Sequence, residues 1–262
     1  MAYQDEKVVI LCGGMGTRLR EETEYRPKAL VEIGGRPILW HLMRLYYHYG
    51  YRKFVLCLGY KGAMIKEYFL NYQAIQHDFT MRLRAGASQV WDHKDQVEDW
   101  EITFVDTGPD TPTGGRLSRI RHHIQEDYFL ANYCDGLSDI NLEALVAFHQ
   151  EKKKVATLSG FFARSRYGVV KVDGGGIVNY WQEKPLMNDR TPGGYFVFHR
   201  KIFDYLDDDC ILERGPLEVL AKEGQLALYP HDGFWFCMDT FKEAQTLDEM
   251  WRSGEHPWKV WS

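Results

Sequence analysis

The residues that could do chemistry begin early in the chain. Gly13-Gly14-Met15-Gly16-Thr17-Arg18 follows directly on the apolar, β-branched run Val8-Val9-Ile10-Leu11. Such a run reads as a buried strand. A glycine-rich turn leaving a strand suits an anion, because backbone N–H groups can approach it where no Cβ intervenes. Two familiar phosphate loops are excluded. A P-loop ends in Gly-Lys-Ser/Thr, whereas this turn ends in Gly16-Thr17-Arg18. A dinucleotide fingerprint needs a third glycine where Leu19 stands. Taken by itself, the loop is equally compatible with an ordinary strand-to-turn connection.

The elements around the loop must position it. Ile38, Leu39, Leu42, Met43, Tyr46 and Tyr49 share one face of a helix that Pro37 opens and Gly50 ends. Phe54–Leu58, 102–105 and 128–133 read as further strands, Ala63–Tyr72 as a helix, and Asn141 as the cap of a helix carrying Leu142, Leu145, Val146 and Phe148 inward. Alternation of this kind predicts an α/β fold with a largely parallel sheet. Beyond it, 155–162, 168–172, 177–182 and 194–199 read as strands, and 200–206, 216–223 and 241–253 as helices. The polar stretch from about Gln73 to Trp100 has no period and reads as an excursion or lid. The expectation is one domain over 1–262.

Motifs spread along the whole chain resemble those of the sugar-1-phosphate nucleotidyltransferases. They are Leu11-Cys12-Gly13-Gly14-Met15-Gly16-Thr17-Arg18-Leu19 with Arg26-Pro27-Lys28, then Tyr133-Cys134-Asp135-Gly136, Glu183-Lys184-Pro185, Gly193-Gly194-Tyr195 and Met238-Asp239-Thr240. Within that family the chain is similar to the glucose-1-phosphate cytidylyltransferases, through Val31–His41, Asp106-Thr107-Gly108, Thr113-Gly114-Gly115-Arg116-Leu117, Gly233-Phe234-Trp235 and Pro257-Trp258-Lys259. The resemblance implies a Rossmann-like nucleotidyltransferase fold. Its mostly parallel mixed sheet would carry the nucleotide-binding part over about 1–135, and a smaller β-rich sugar-binding part over about 136–262.

The implied reaction is attack by a sugar-phosphate oxygen on the α-phosphorus of a nucleoside triphosphate, CTP with glucose 1-phosphate, releasing pyrophosphate. The attacking phosphate is largely dianionic near neutral pH, its second pKa being about 6, so no general base is needed. Bringing two polyanions together is the difficulty, and positioning with charge neutralisation is the remedy. Arg18, a planar fork, and Lys28, a point charge, are the candidates for the triphosphate, held with Leu11, Gly13, Gly14, Gly16 and Thr17. The resemblance assigns Mg²⁺ to Asp135 and Asp239, and the sugar phosphate to Cys134, Glu183, Lys184, Gly194 and Tyr195, with Lys184 also catalytic. Thr113, Gly114 and Arg116 match a second glycine loop, assigned to the nucleotide.

Three positions depart from the pattern. Cys134 stands where glycine is expected, Pro192 where asparagine is expected, and Ala29 replaces a second proline. The first two bear on the acceptor, so a different base or acceptor on the same fold is an alternative, and a non-catalytic nucleotide-binding regulator is another. Bulk composition adds limits. The net charge of −5 gives no reason to expect nucleic-acid binding. Five scattered cysteines without a Cys-x-x-Cys pair suit a reducing cytosol. No apolar run approaches the ~20 residues that span a bilayer, and Met1–Lys7 lacks the features of a signal peptide. A soluble, cytoplasmic homo-oligomer is expected.

Overall fold

The computed structural model describes residues 4–82, 88–91, 98–165 and 167–261. Its centre is a seven-stranded sheet. In chain order the strands are β1 (Val8–Leu11), β2 (Lys53–Leu58), β3 (Glu101–Asp106), β4 (Tyr128–Tyr133), β5 (Ala156–Arg164), β6 (Leu186–His199) and β7 (Leu226–Pro230). Their order across the sheet is β7-β5-β6-β4-β1-β2-β3. β1 pairs in parallel with both β2 and β4, β2 with β3, and β5 with β7. Only β6 runs the other way, antiparallel to β5 and β4. The largely parallel sheet expected from the alternation is therefore present, and it is mixed as the resemblance implies.

Strand alternation explains why both faces are covered. Val8, Ile10, Phe54, Leu56 and Leu58 enter one apolar cluster, while Val9, Leu11, Val55 and Cys57 enter the other. Buried on both sides, β1 and β2 read as continuous hydrophobic runs, as central parallel strands do. Helix α1 (Ile38–His48) and helix α2 (Leu142–Lys152) follow the expected faces, and Asn141 caps the second by accepting from the Ala144 N–H at 2.9 Å. One residue differs on α2: His149 is buried, with Phe148 only partly so.

Other expectations shift in detail. The helix predicted over 63–72 is two pieces, Gly62–Leu70 and Tyr72–Gln76. The stretch read as an excursion begins in the helix Tyr72–Gln76 and contributes the pairing of Phe79–Arg82 with Ser88–Trp91; its residues 83–87 and 92–97 lie outside the described residues. β6 is much longer than 194–199. Its first half carries Pro192 opposite Gly160 beside a register shift, where a missing N–H is tolerated. Between β5 and β6 the chain makes a separate two-stranded ribbon, Val169–Val172 with Val178–Gln182, whose residues are all exposed. No helix among the described residues is long and apolar enough to cross a membrane.

Candidate active site

The parallel strands bring their carboxyl ends to one side of the sheet, where open α/β sheets bind ligands. A cavity of about 560 Å³ lies there, framed by the loop after β1, the turn after β4 and the middle of β6. The loop's shape is set from outside itself. Gly16 has φ +61°, a left-handed conformation. Thr23 Oγ1 donates to the Gly16 and Leu19 carbonyls at 3.0 and 2.9 Å. At Gly13 a Cβ would lie 2.0 Å from Arg116 Nη1, so only glycine leaves room for that guanidinium.

Arg116 is 4 % exposed and donates to five acceptors. They are the carbonyls of Gly13 (3.0 Å), Leu58 (3.0 Å), Gly108 (2.7 Å) and Pro109 (3.1 Å), and Thr107 Oγ1 (2.7 Å). One side chain thus ties together the loop after β1, the end of β2 and the segment after β3. Burial lowers its pKa from the ordinary guanidinium value. The stretch expected to be a second glycine loop is the start of a helix, Thr113–Arg119. Thr113 and Arg116 line the cavity, whereas Gly114 packs against Cys210 and does not.

At the other wall, Asp135 lies two residues beyond the end of β4, and Asp239 precedes the helix Phe241–Ser253. Asp239 is fixed by a capping box. Glu243 Oε2 accepts from the Asp239 and Thr240 N–H groups at 2.8 Å each, and Thr240 Oγ1 accepts from the Glu243 N–H at 3.3 Å. The strand Trp235–Cys237 pairs with Gly136–Ser138, and the Met238 N–H donates to the Asp135 carbonyl at 2.9 Å. Two acids 104 residues apart in sequence (239 − 135) are thereby held side by side.

The expected cations and the expected metal ligands meet each other. Lys28 Nζ lies 2.5 Å from Asp135 Oδ2 and 2.9 Å from Asp239 Oδ1, and Arg18 Nη1 lies 2.7 Å from Asp239 Oδ2. Burial opposes the Lys28 charge, but the two carboxylates outweigh it and hold its pKa above the usual lysine value. The cluster of two cations and two carboxylates is formally neutral. Arg18 remains largely exposed and free to turn toward a ligand, whereas Lys28 is buried at the floor.

The cavity wall also contains Leu11, Gly13, Gly14, Gly16, Thr17, Cys134 and Gly194. It does not contain Glu183, Lys184 or Tyr195. Tyr195 is fully buried, and its hydroxyl donates to the Gly136 carbonyl at 2.9 Å, so it supports the turn beside Asp135 from behind. Glu183 and Lys184 are exposed at the foot of the ribbon, paired with each other at 4.0 Å, with Lys184 at φ 45°. Trp235, which closes the Gly233-Phe234-Trp235 motif, and Cys237 are wall residues to which the sequence assigns no role. Trp235 stacks on Phe161 with ring centres 3.7 Å apart and donates to the Gly193 carbonyl at 2.7 Å. Cys237 lies beside the aspartates; its spacing from Asp239 was the only signal that could have found it.

Comparison with known proteins agrees with this geometry. Residues 7–222 match the family model described as Nucleotidyl transferase. The chain is 44 % identical over 257 residues to a probable glucose-1-phosphate cytidylyltransferase of Bacillus subtilis, covering 97 % of this chain and 100 % of that protein. It is 42 % identical over 258 residues to the glucose-1-phosphate cytidylyltransferase of Salmonella typhi, covering 97 % and 99 %. Among solved structures, a UDP-glucose pyrophosphorylase complexed with UDP-glucose superposes with a TM-score of 0.69 at 14 % identity, covering 96 % of this chain and 100 % of that one. HddC from Yersinia pseudotuberculosis gives 0.67 at 22 %, covering 94 % and 99 %. Those two likenesses speak for the fold. The chain belongs to the nucleotidyl transferase family, grouping there with glucose-1-phosphate cytidylyltransferases.

Proposed function

We propose that this cavity transfers the cytidylyl group of CTP to glucose 1-phosphate, giving CDP-glucose and pyrophosphate. The observation that carries the reading is the convergence of the Gly13–Arg18 loop, Lys28, Asp135 and Asp239 on one cavity, in a chain 42 % and 44 % identical to relatives of that name. A phosphate oxygen of the acceptor forms a bond to the α-phosphorus, and the bond from that phosphorus to the pyrophosphate oxygen breaks. The acceptor phosphate is already dianionic, so no residue has to remove a proton.

The loop N–H groups of Gly13, Gly14, Gly16 and Thr17 hold the triphosphate, with Leu11 and Thr113 at the nucleotide side. Arg116 contributes through the shape it imposes on Gly13. Arg18 turns from Asp239 to bracket two phosphate oxygens, and Lys28 neutralises charge at the α-phosphate. Asp135 and Asp239 would hold Mg²⁺. Two carboxylates with open cavity beside them fit an ion that takes few protein oxygens and completes its shell with water and phosphate. When bound, the ion supplies charge neutralisation at the phosphates.

Cys134 and Gly194 face the acceptor. Glu183 and Lys184 serve the sugar hydroxyls and the sugar phosphate once the foot of the ribbon approaches the cavity. Five free thiols among the described residues suit a reducing cytoplasm, and a homo-oligomer is the expected assembly. Pyrophosphate release with each nucleoside triphosphate against a panel of sugar phosphates tests the reading. Release with CTP and glucose 1-phosphate is expected; no product from that pair, with product from another, would overturn it. A second reading, the same transfer to another acceptor, is favoured by Pro192 and Cys134, both of which line the cavity.

A further inference from the structure

The transfer as proposed gives Cys237 no role, yet its thiol lies beside the two aspartates read as metal ligands. Its Sγ and one carboxylate oxygen each of Asp135 and Asp239 lie within 4.8 Å of one another, the one such grouping among the described residues. The placement follows from the backbone. Cys237 pairs with Gly136, the residue after Asp135, and the next N–H, of Met238, donates to the Asp135 carbonyl. Met238 is fully buried in the core, so its neighbours Cys237 and Asp239 both turn to the cavity wall, which includes them. The protein already seats a cation there: Lys28 Nζ lies 2.5 and 2.9 Å from oxygens of the two aspartates.

We propose that Cys237 is a third protein ligand at this centre for thiophilic divalent cations such as Zn²⁺, Co²⁺ and Cd²⁺, which it holds more tightly than the Mg²⁺ that serves the transfer. This rests on the reading of Asp135 and Asp239 as metal ligands. Mg²⁺ takes oxygen donors and would use the aspartates alone. Zinc-like ions take thiolate together with carboxylate in a tetrahedral shell, and here a water or phosphate oxygen completes it. On binding, the Cys237 thiol gives its proton to the buffer as the metal–sulfur bond forms, and no electron changes hands. Lys28 yields its place between the carboxylates to the stronger cation.

The test titrates the full-length, metal-stripped protein with Co²⁺ and follows the ultraviolet spectrum. A sulfur-to-cobalt charge-transfer band saturating at a single equivalent is expected. The band should vanish in Cys237→Ser and persist in Cys134→Ser, whose thiol also lines the cavity. Zn²⁺ affinity, measured by competition, should fall about tenfold or more in Cys237→Ser. No band in the wild type, or a band surviving in Cys237→Ser, overturns the proposal. Should that variant fold poorly, alkylation of the wild-type thiols decides instead. Zn²⁺ should shield Cys237 from iodoacetamide and Mg²⁺ should not; equal labelling under both ions refutes the sulfur ligand. If Mg²⁺-dependent turnover is abolished by Asp135→Asn while no cobalt band exists, the sulfur ligand alone fails. If Asp135→Asn turns over normally, the metal centre itself fails.

Discussion

Between Val8 and Tyr133 the groups that line the cavity hang from strands buried on both faces; between Tyr167 and Leu186 the proposed sugar-side pair, Glu183 and Lys184, hangs from a two-stranded ribbon exposed on both. The motifs in the two regions resemble the family equally well, but the physics holding them differs. Register fixes the first set. Leu11 lies opposite Tyr133 in parallel strands, so the glycine loop and Asp135 leave the sheet side by side. The ribbon has no such partner, and a two-stranded ribbon is marginal in water without a surface to pack on. From Gly193 in the cavity wall to Leu186 is roughly 20 Å along an extended strand. A motif's presence therefore announces chemistry, whereas its burial decides whether the chemistry is already assembled.

The largest effect should come from the buried region. Asp135→Asn should lower turnover on the order of 100-fold or more, with pyrophosphate release as the readout and an unchanged circular-dichroism melt showing that the fold survives. Arg116→Ala should come next. It strands four carbonyls and the Thr107 hydroxyl, so we expect a loss of about 3 kcal/mol in denaturant unfolding, together with weaker CTP binding. Loss of stability without loss of affinity would separate the hub from the loop.

Acid should also act on the buried region first. Burial, the leading cause, lowers the pKa of His41 to about 4 despite an opposing hydrogen bond to the Ile33 carbonyl, and lowers His149 to about 4 with help from His199. The unfolded chain protonates these residues near pH 6.5, while the folded chain resists until about pH 4. Their stabilisation is complete above about pH 6.5 and lost as pH falls toward 4, by at most about 3 kcal/mol each. Urea midpoints at pH 7 and pH 4.5, followed by tryptophan fluorescence, check this, because Trp40, Trp251 and Trp258 ring His41. A flat profile would contradict it.

The ribbon should respond differently. Lys184→Ala should raise KM for the sugar phosphate about tenfold while CTP binding and the melting temperature stay put; an effect on melting instead would make its role structural. The smallest effect is expected of Trp181→Ser. Trp181 is 67 % exposed, and a surface substitution of this kind should change stability by about 0.5 kcal/mol or less. A large loss would mean that the ribbon is covered in solution, and the contrast between the two regions would break.

Legibility in the sequence follows the same division. β1, β4 and the helix over 241–253 were readable because a local period or a local cap specifies them: Thr240 and Glu243 are three residues apart. β6 was half-hidden because Pro192 and Gly193-Gly194 look like a break, and only pairing with β5 reveals a continuous strand. The helix beginning at Thr113 reads as a loop in sequence because two glycines open it. The pairing of Lys28 with Asp135 and Asp239 spans 107 and 211 residues, and nothing local encodes it. The sequence assigns these residues to opposite partners, phosphate and metal, and holds no sign of the neutral cluster they form together.

The guanidinium of Arg116 has a consequence for anyone wishing to move this site. The Gly13 carbonyl it holds lies 103 residues upstream of it. A transplant of Gly13–Arg18 alone into another parallel sheet would carry the spelling of the loop without its mould. The portable unit is the loop, the segments leaving β2 and β3, and the helix that supplies the arginine; anything shorter should yield a turn that no longer presents its amides as a set.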